Sequence, residues 1–288
     1  MNTKNKLAIV GIFWDGYYDM WEDFLELKEK FWKDCPYPLY IVNQTKEIEF
    51  KKKYDVTVLH AGEDAEYSKK VQLAIEAIDA DYLLILLEDF FFSKTLSGGI
   101  LDERLFIMKE NNIKYCSMPL PGFYQDLMKK YGDRKDFMLE FNQNAEYVIS
   151  CMPSIWEKSF LKSCIGSGNY NAWVFEAIYL NSKTAHKDPF LSWCRIDVGN
   201  KLGLLHGALQ SKMIPTTLAY YQGIGYKMKN ERPVMGKWSF FKHRLKSYVR
   251  ITLPAFVRVQ IKKLIGGESV TDRYIEQAFE EMKRMNLE

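Results

Sequence analysis

The stretch over residues 81–92 constrains the fold more than any other part of the sequence. Residues 82–87 form an unbroken apolar run, which ends at two adjacent carboxylates, Glu88 and Asp89. A short apolar run that follows a helical pattern is typical of a central strand in a parallel sheet, covered on both faces. Ligands of such sheets bind outside the carboxyl ends of the strands, and hard cations bind carboxylate oxygens. The pattern therefore indicates either a divalent-cation site that could hold a diphosphate, or two solvated turn residues.

The rest of the chain alternates between strand and helix patterns. Apolar runs and helical spacing predict strands over residues 7–13, 39–42, 56–59, 113–118, 147–151 and 191–198, and helices over 20–32, 63–78 and 100–111. This alternation indicates parallel βαβ units with right-handed crossovers. The pattern is lost over residues 119–143, which we expect to form an irregular loop or a hairpin. No glycine-rich phosphate loop is present, so a bound nucleotide would need a metal and side chains.

Composition places the chain among ordinary globular proteins. Of its 288 residues, 47% are hydrophobic and 27% are charged, and no apolar run approaches the roughly 20 residues that span a bilayer. Five widely spaced cysteines without a metal-ligand pattern indicate reduced thiols of a cytoplasmic protein. The first residues lead directly into a strand, and we expect no cleavable signal.

Charge divides the chain into two regions. Residues 226–263 contain eleven Lys or Arg and one acid, a charge of +10, which leaves −7 for the rest of a chain of net charge +3. We therefore expect a body over residues 1–225 and a basic helical region over 226–288, closed by an amphipathic helix over 271–285. The basic segment interleaves Lys and Arg with apolar residues, which favours an anionic membrane interface. The alternatives are packing on an acidic patch of the body or binding to nucleic acid, although no recognised nucleic-acid module surrounds it.

Three short motifs and the order of the elements resemble a known family. The motifs are the acidic pair Glu88-Asp89, the run Met152-Pro-Ser-Ile-Trp156 with Trp173-Val-Phe-Glu176, and Gly236-Lys-Trp238. Over most of residues 7–240 the chain resembles bacterial glycosyltransferase-like proteins of capsule and surface-polysaccharide biosynthesis. The resemblance implies a GT-A-like (Rossmann-like) α/β fold, with a mostly parallel central sheet flanked by helices.

The resemblance also implies a donor, a cofactor and an acceptor. The donor would be a nucleoside-diphosphate sugar, bound with Mg²⁺ or Mn²⁺ at Asp89, with Glu88 as the second residue of the metal site. The acceptor would be a glycan, expected to be lipid-linked, at the inner face of the plasma membrane. Glu176 would remove the proton of the acceptor hydroxyl in an inverting transfer. His206 is a further candidate metal ligand, although a single histidine beside apolar residues is more often structural.

The remaining candidates divide between donor and acceptor sides. Trp14, Asp15, Ser68, Lys69 and Lys237 are expected on the donor side, and Trp156 and Trp173 on the sugar. Most have an ordinary alternative: a turn for Asp15, a helix or protein surface for Ser68, Lys69 and Lys237, and core packing for Trp156 and Trp173. Glu176 could equally complement the dipole of its helix.

Two functions compete with sugar transfer. A protein with a transferase-like fold could be a non-catalytic glycan- or partner-binding protein, since Glu88 stands at a position of the acidic pair where the family more often has Asp. Nucleotidyl or phosphoryl transfer also uses carboxylates at strand ends, but the missing glycine-rich loop counts against it.

Overall fold

The computed structural model describes residues 6–118, 138–141, 145, 147–197, 199, 201–252 and 273–287. The strands are β1 (Leu7–Ile12), β2 (Leu39–Asn43), β3 (Thr57–His60), β4 (Tyr82–Leu86), β5 (Phe90–Phe92), β6 (Tyr115–Ser117), β7 (Met138–Glu140), β8 (Ser154–Glu157), β9 (Cys194–Asp197), β10 (Leu204–His206), β11 (Ala208–Leu209) and β12 (Lys212–Met213). The α-helices are α1 (Tyr18–Phe31), α2 (Tyr67–Ala77), α3 (Asp102–Glu110), α4 (Lys158–Ile165), α5 (Ala172–Asn181), α6 (Pro215–Gly223), α7 (Lys237–Thr252) and α8 (Ile275–Met285).

The main sheet has eight strands in the order β3-β2-β1-β4-β8-β6-β9-β7. Strands β1 to β4 pair in parallel, and so do β6 and β9, whereas β8 and β7 pair antiparallel with their neighbours. Six of the eight strands therefore point the same way. The predicted fold class, α/β with a mostly parallel sheet between helices, is confirmed.

Strands β1 and β4 are buried on both faces, as the apolar run predicted. Every residue of both strands is buried. Leu84 and Leu86 belong to a core shared with α1 and α3, while Leu83 and Ile85 belong to a second core shared with α2, α4 and α5. Because successive side chains point to opposite faces, one strand supplies both cores. This is why it needs a continuous apolar run.

Two short ribbons lie beside the main sheet. Three residues separate the end of β4 from β5, which pairs antiparallel with β10, and β11 pairs with β12. The β5–β10 pairing places His206 opposite Phe90, next to the acidic pair. The ribbon therefore brings the late part of the chain to the end of β4.

The described parts of the C-terminal region contact the body. Tyr226 belongs to the core under α1, Met235 is buried, and Val234 forms a bridge with Met213 of β12. Helix α8 packs against α5, with Ala278 and Met282 in the second core. The division at residue 225 remains a prediction, but these contacts tie both sides of it together.

The structure corrects one predicted strand. Residues 147–151 form a turn, in which Tyr147 has a φ of +57°, and the strand comes later as β8. A left-handed residue interrupts an extended run, so the apolar residues Val148 and Ile149 are buried in a turn. Most of residues 119–143, and residues 253–272 of the basic C-terminal region, lie outside the described residues. No helix in the described part is long and apolar enough to cross a bilayer.

Candidate functional site

The candidate site lies at the carboxyl ends of β1 and β4. From β1 the chain runs outward through β2 to β3 and then returns to the other side of β1 as β4. The strand order therefore reverses between these two strands, and open α/β sheets bind ligands in the crevice outside such a reversal. Trp14 and Asp15 follow β1 at this edge, and Glu88 and Asp89 follow β4. Sequence and topology thus bring the two predicted groups together.

Asp89 and His206 are in direct contact. The distance from His206 Nε2 to Asp89 Oδ2 is 2.9 Å, and the Gly207 amide donates to the Asp89 carbonyl at 2.6 Å. A Cβ on Gly207 would lie 2.4 Å from the Phe91 ring, so this position fits only glycine without displacement of the ring. Within the described part of the chain, Asp89 Oδ1 is buried and accepts no hydrogen bond. A buried carboxylate oxygen without a donor is suited to a cation.

Glu88 is buried beside a buried lysine. Burial, and then the charge of Asp89, raises the pKa of Glu88 to about 8, while Lys70 and the Trp14 amide act in the opposite direction. Lys70 Nζ donates to the Phe13 carbonyl at 2.8 Å, and burial lowers the pKa of this lysine. Lys70 therefore links α2 to the end of β1 beside the acidic pair.

The Asp15 carboxylate joins the end of β1 to the loop that follows β2. Its carboxylate accepts hydrogen bonds at 2.9 to 3.3 Å from Asn43 and from three residues of the following loop, Gln44, Thr45 and Lys46. Burial acts to raise the pKa of Asp15, but the hydrogen bonds from Thr45, Gln44, Asn43 and Lys46 together outweigh it, so the pKa lies below its usual 3.8. Both carboxylate oxygens that Asp15 would offer to a donor therefore already accept hydrogen bonds within the protein. Trp14 beside it is 51% exposed.

Glu176 lies at the same edge through its contact with the turn before β8. The Cys151 amide donates to Glu176 Oε1 at 3.0 Å. Because β8 runs antiparallel to β4 and Ser154 pairs with Ile85, residues 151–153 continue past the carboxyl end of β4. Helix α5, which carries Glu176, is capped by Asn171, and Trp173 in its first turn is 46% exposed.

Burial corrects two predicted ligand contacts, those of Trp156 and Ser68. Trp156 is 1% exposed in β8 and donates to Ser154 Oγ at 2.8 Å, so it packs in the core and cannot line a sugar site. Ser68 is fully buried, donates to the Gly168 carbonyl at 3.0 Å and accepts from the Tyr170 amide.

Two lysines predicted on the donor side lie on different helices, Lys69 on α2 and Lys237 on α7. Lys69 Nζ donates to the Ser167 carbonyl at 3.2 Å and not to the acids. Lys237 is exposed at the start of α7, and its place on the donor side stays a prediction. Sequence reasoning missed Lys70, which follows Lys69 on α2. Only the phase of α2, with Val71 and Ala74 in the core, could have identified it.

Asp89 and His206 fit a cation that is shared with a ligand. Within the described ranges no group of three or more His, Cys, Asp or Glu side chains converges on a point that could hold a metal. Mg²⁺ and related ions are often held by one or two carboxylates together with substrate phosphates and water. A carboxylate with a free buried oxygen and an adjacent imidazole is consistent with that arrangement.

Comparisons with known proteins assign no family. No model of a known protein family matches the chain, and no curated protein matches it. Among solved structures, residues 1–349 of S. aureus TarS match 55% of this chain and 48% of that one, with 13% identity and a TM-score of 0.38. The same fragment in complex with UDP matches at 14% identity, 60% of this chain, 54% of that chain and a TM-score of 0.40.

A longer TarS structure matches 66% of this chain and 34% of its own length, with 14% identity and a TM-score of 0.41. The matches thus span about half of the TarS chains or less. Similarity at this level assigns neither fold nor activity, which rest on the geometry of the chain itself.

Proposed function

We propose that this protein is a glycosyltransferase that uses a nucleoside-diphosphate sugar. One observation carries the proposal: Glu88, Asp89, His206 and the exposed ring of Trp14 lie together where the strand order reverses between β1 and β4. The reversal supports a nucleotide site, and the acids support a diphosphate held through a cation instead of a glycine-rich loop. A GT-A-like fold accords with this arrangement.

Asp89 and His206 would hold Mg²⁺ or Mn²⁺. The bound ion would supply Lewis-acid charge to the departing diphosphate. The chain's own contribution is the fixed carboxylate of Asp89, anchored through its backbone by Gly207, and the imidazole on the neighbouring ribbon. Glu88, which is buried and adjacent to Asp89 in the chain, is the second residue that we propose for this metal site.

Glu176 would accept the proton of the acceptor hydroxyl. The Cys151 amide holds one of its carboxylate oxygens at 3.0 Å and thereby fixes its direction. A base opposite the leaving diphosphate is what an inverting transfer requires. Trp173 is exposed one turn earlier on α5 and would offer an apolar ring face to the acceptor. We propose that the acceptor is a lipid-linked glycan in the biosynthesis of a surface polysaccharide such as capsule.

The experiment is titration of the full chain with UDP and with GDP, each with and without Mn²⁺, followed by a turnover assay with the matching sugar nucleotides. We expect cation-dependent binding that Asp89→Asn weakens by about tenfold or more, the effect of losing about 1.4 kcal/mol. Asp55→Asn, an exposed acid before β3, is the matched control. Equal binding by Asp89→Asn would reject the cation site. Binding without turnover would favour the non-catalytic alternative.

We further propose that α7 docks on an anionic membrane. Trp238, Phe241 and Leu245 are 67%, 54% and 50% exposed and recur at helical spacing. Lys237 and Lys242 lie on the same helix, which contains no acid. A helix with exposed apolar side chains and basic neighbours is suited to the interface of an anionic bilayer.

The test is flotation with vesicles of phosphatidylglycerol and phosphatidylcholine. Replacement of Trp238, Phe241 and Leu245 by Ser is expected to abolish co-flotation. Phe106→Ser is the control, because Phe106 is 63% exposed on α3. Undiminished flotation of the triple variant would reject the docking face.

A further inference from the structure

Residues 226–235, which we call the C-terminal strap, cross helix α1 and are held by its acids. The buried Asp23 carboxylate accepts four hydrogen bonds from the strap: from the Tyr226 hydroxyl (2.9 Å), the Lys229 amide (2.9 Å), and the Asn230 amide (3.1 Å) and side chain (2.7 Å). Lys229 Nζ pairs with two further acids of α1 at 2.8 and 2.5 Å. The strap is therefore fixed on the surface of α1.

Arg232 reaches from the strap to the loop that follows β1. Its Nε and Nη2 contact the two carboxylate oxygens of Asp19, each at 2.7 Å, and Nη2 also donates to the Gly16 carbonyl at 3.0 Å. Its guanidinium carbon lies 3.8 Å from the centre of the Tyr17 ring. One side chain thus contacts three of the residues between β1 and the first turn of α1.

The same loop carries the exposed ring of the candidate site. Trp14 lies 5.3 Å from Tyr17 between ring centres, and its ring covers Gly16 so closely that a Cβ there would lie 2.6 Å from it. The neighbouring Asp15 is held by the loop after β2. Two separate segments, the loop after β2 and the C-terminal strap, therefore fix this loop, while the Trp14 ring stays 51% exposed.

We infer that Arg232 is a positioning residue for the Trp14 loop. It would hold the Trp14 ring where a nucleoside base can stack, so it would govern donor affinity without touching the reacting atoms. The inference rests on the proposed function, which supplies the base. A planar guanidinium makes the bidentate pair and the ring contact together, and a lysine ammonium cannot.

The test compares Arg232→Lys with the unaltered full chain in UDP and GDP titrations and in turnover at saturating donor. We expect the donor Kd and KM to rise about tenfold, which corresponds to about 1.4 kcal/mol, while kcat changes little. In Arg232→Ala, added guanidinium ion is expected to recover part of the affinity. Lys229→Met is the control, because it removes strap ion pairs without touching the loop, and its affinity should be unchanged.

Two results would overturn the inference. One is an Arg232→Lys variant with the affinity of the unaltered protein, and the other is an equal loss in Lys229→Met. If the unaltered chain binds no nucleoside diphosphate, the proposed function fails, and hydrogen exchange of amides 14–17 decides the positioning role separately. Exchange there should become roughly tenfold faster in Arg232→Lys, and unchanged exchange would reject that role.

Discussion

At the scale of single residues, Glu88 has the most unusual surroundings in the site. It is buried next to a second carboxylate, the charge of the buried Lys70 only partly offsets this, and its pKa rises from 4.5 to about 8. The cause is first the loss of solvent and second the charge of Asp89. A carboxyl in such a place holds its proton near neutral pH, where an exposed glutamate has none.

This proton predicts a pH dependence of stability. Between pH 4.5 and about 8 the folded protein retains the Glu88 proton and the unfolded chain releases it, so stability falls as pH rises through that window. In the unaltered protein, the free energy of unfolding in urea should therefore fall by up to about 1.4 kcal/mol per pH unit in this window, measured without divalent cations. In Glu88→Gln this contribution to the slope should be absent. Asp55→Asn should keep that slope. Identical slopes for Glu88→Gln and the unaltered protein would contradict the shifted pKa.

At the scale of elements, α5 presents two candidate site residues from one short helix. Its first turn is ordered by Asn171, whose side chain accepts from the Trp173 and Val174 amides, each at 3.0 Å. These are amides that a helix start leaves without an intrahelical partner. The cap therefore sets where the helix begins, and with it the positions of Trp173 and Glu176.

Removing this cap should destabilise the protein measurably. Asn171→Ala is expected to lower the free energy of unfolding by about 1 kcal/mol. Asn171→Asp keeps the acceptor and adds a charge that favours a helix N-terminus, so it should be as stable as the unaltered protein or slightly more stable. Thermal unfolding monitored by circular dichroism measures both. Equal melting temperatures for the Ala and Asp variants would contradict a capping role.

At the scale of the whole molecule, the last described helix completes a core that begins in the first strands. Ala278 and Met282 of α8 are 0% and 2% exposed and lie in the same cluster as Val10 of β1. The Ser182 hydroxyl after α5 also donates to the Leu287 carbonyl at 2.8 Å. We therefore expect α8 to unfold together with the sheet.

A matched pair on α8 tests this expectation. Met282→Ala should lower the free energy of unfolding by about 2 to 4 kcal/mol, because it opens a cavity in the shared core. Phe279→Ala, on the 44% exposed side of the same helix, should change it by less than about 0.5 kcal/mol. Both should show one cooperative transition in urea. A separate early transition in Met282→Ala would show that α8 unfolds by itself.

The sequence alone was enough to predict the central strands, the α/β class and the edge at which Glu88 and Asp89 lie. Those features depend on local patterns. A continuous run of apolar residues is buried in the fold, and the polar residues that end the run mark the edge of the sheet. The helices between the strands followed from spacing for the same reason. Their bounds differed by a few residues, as with the predicted helix over residues 63–78 and the observed Tyr67–Ala77.

Only the tertiary structure decided which side chains meet at that edge. His206 reaches Asp89 across 117 positions of sequence, and Arg232 reaches Asp19 across 213. Lys70 faces the acids while Lys69 faces away, because neighbouring residues of a helix point about 100° apart. Trp156 looked like a ligand contact in the sequence and is core in the fold. Such pairings depend on how distant segments pack, and no local pattern encodes them.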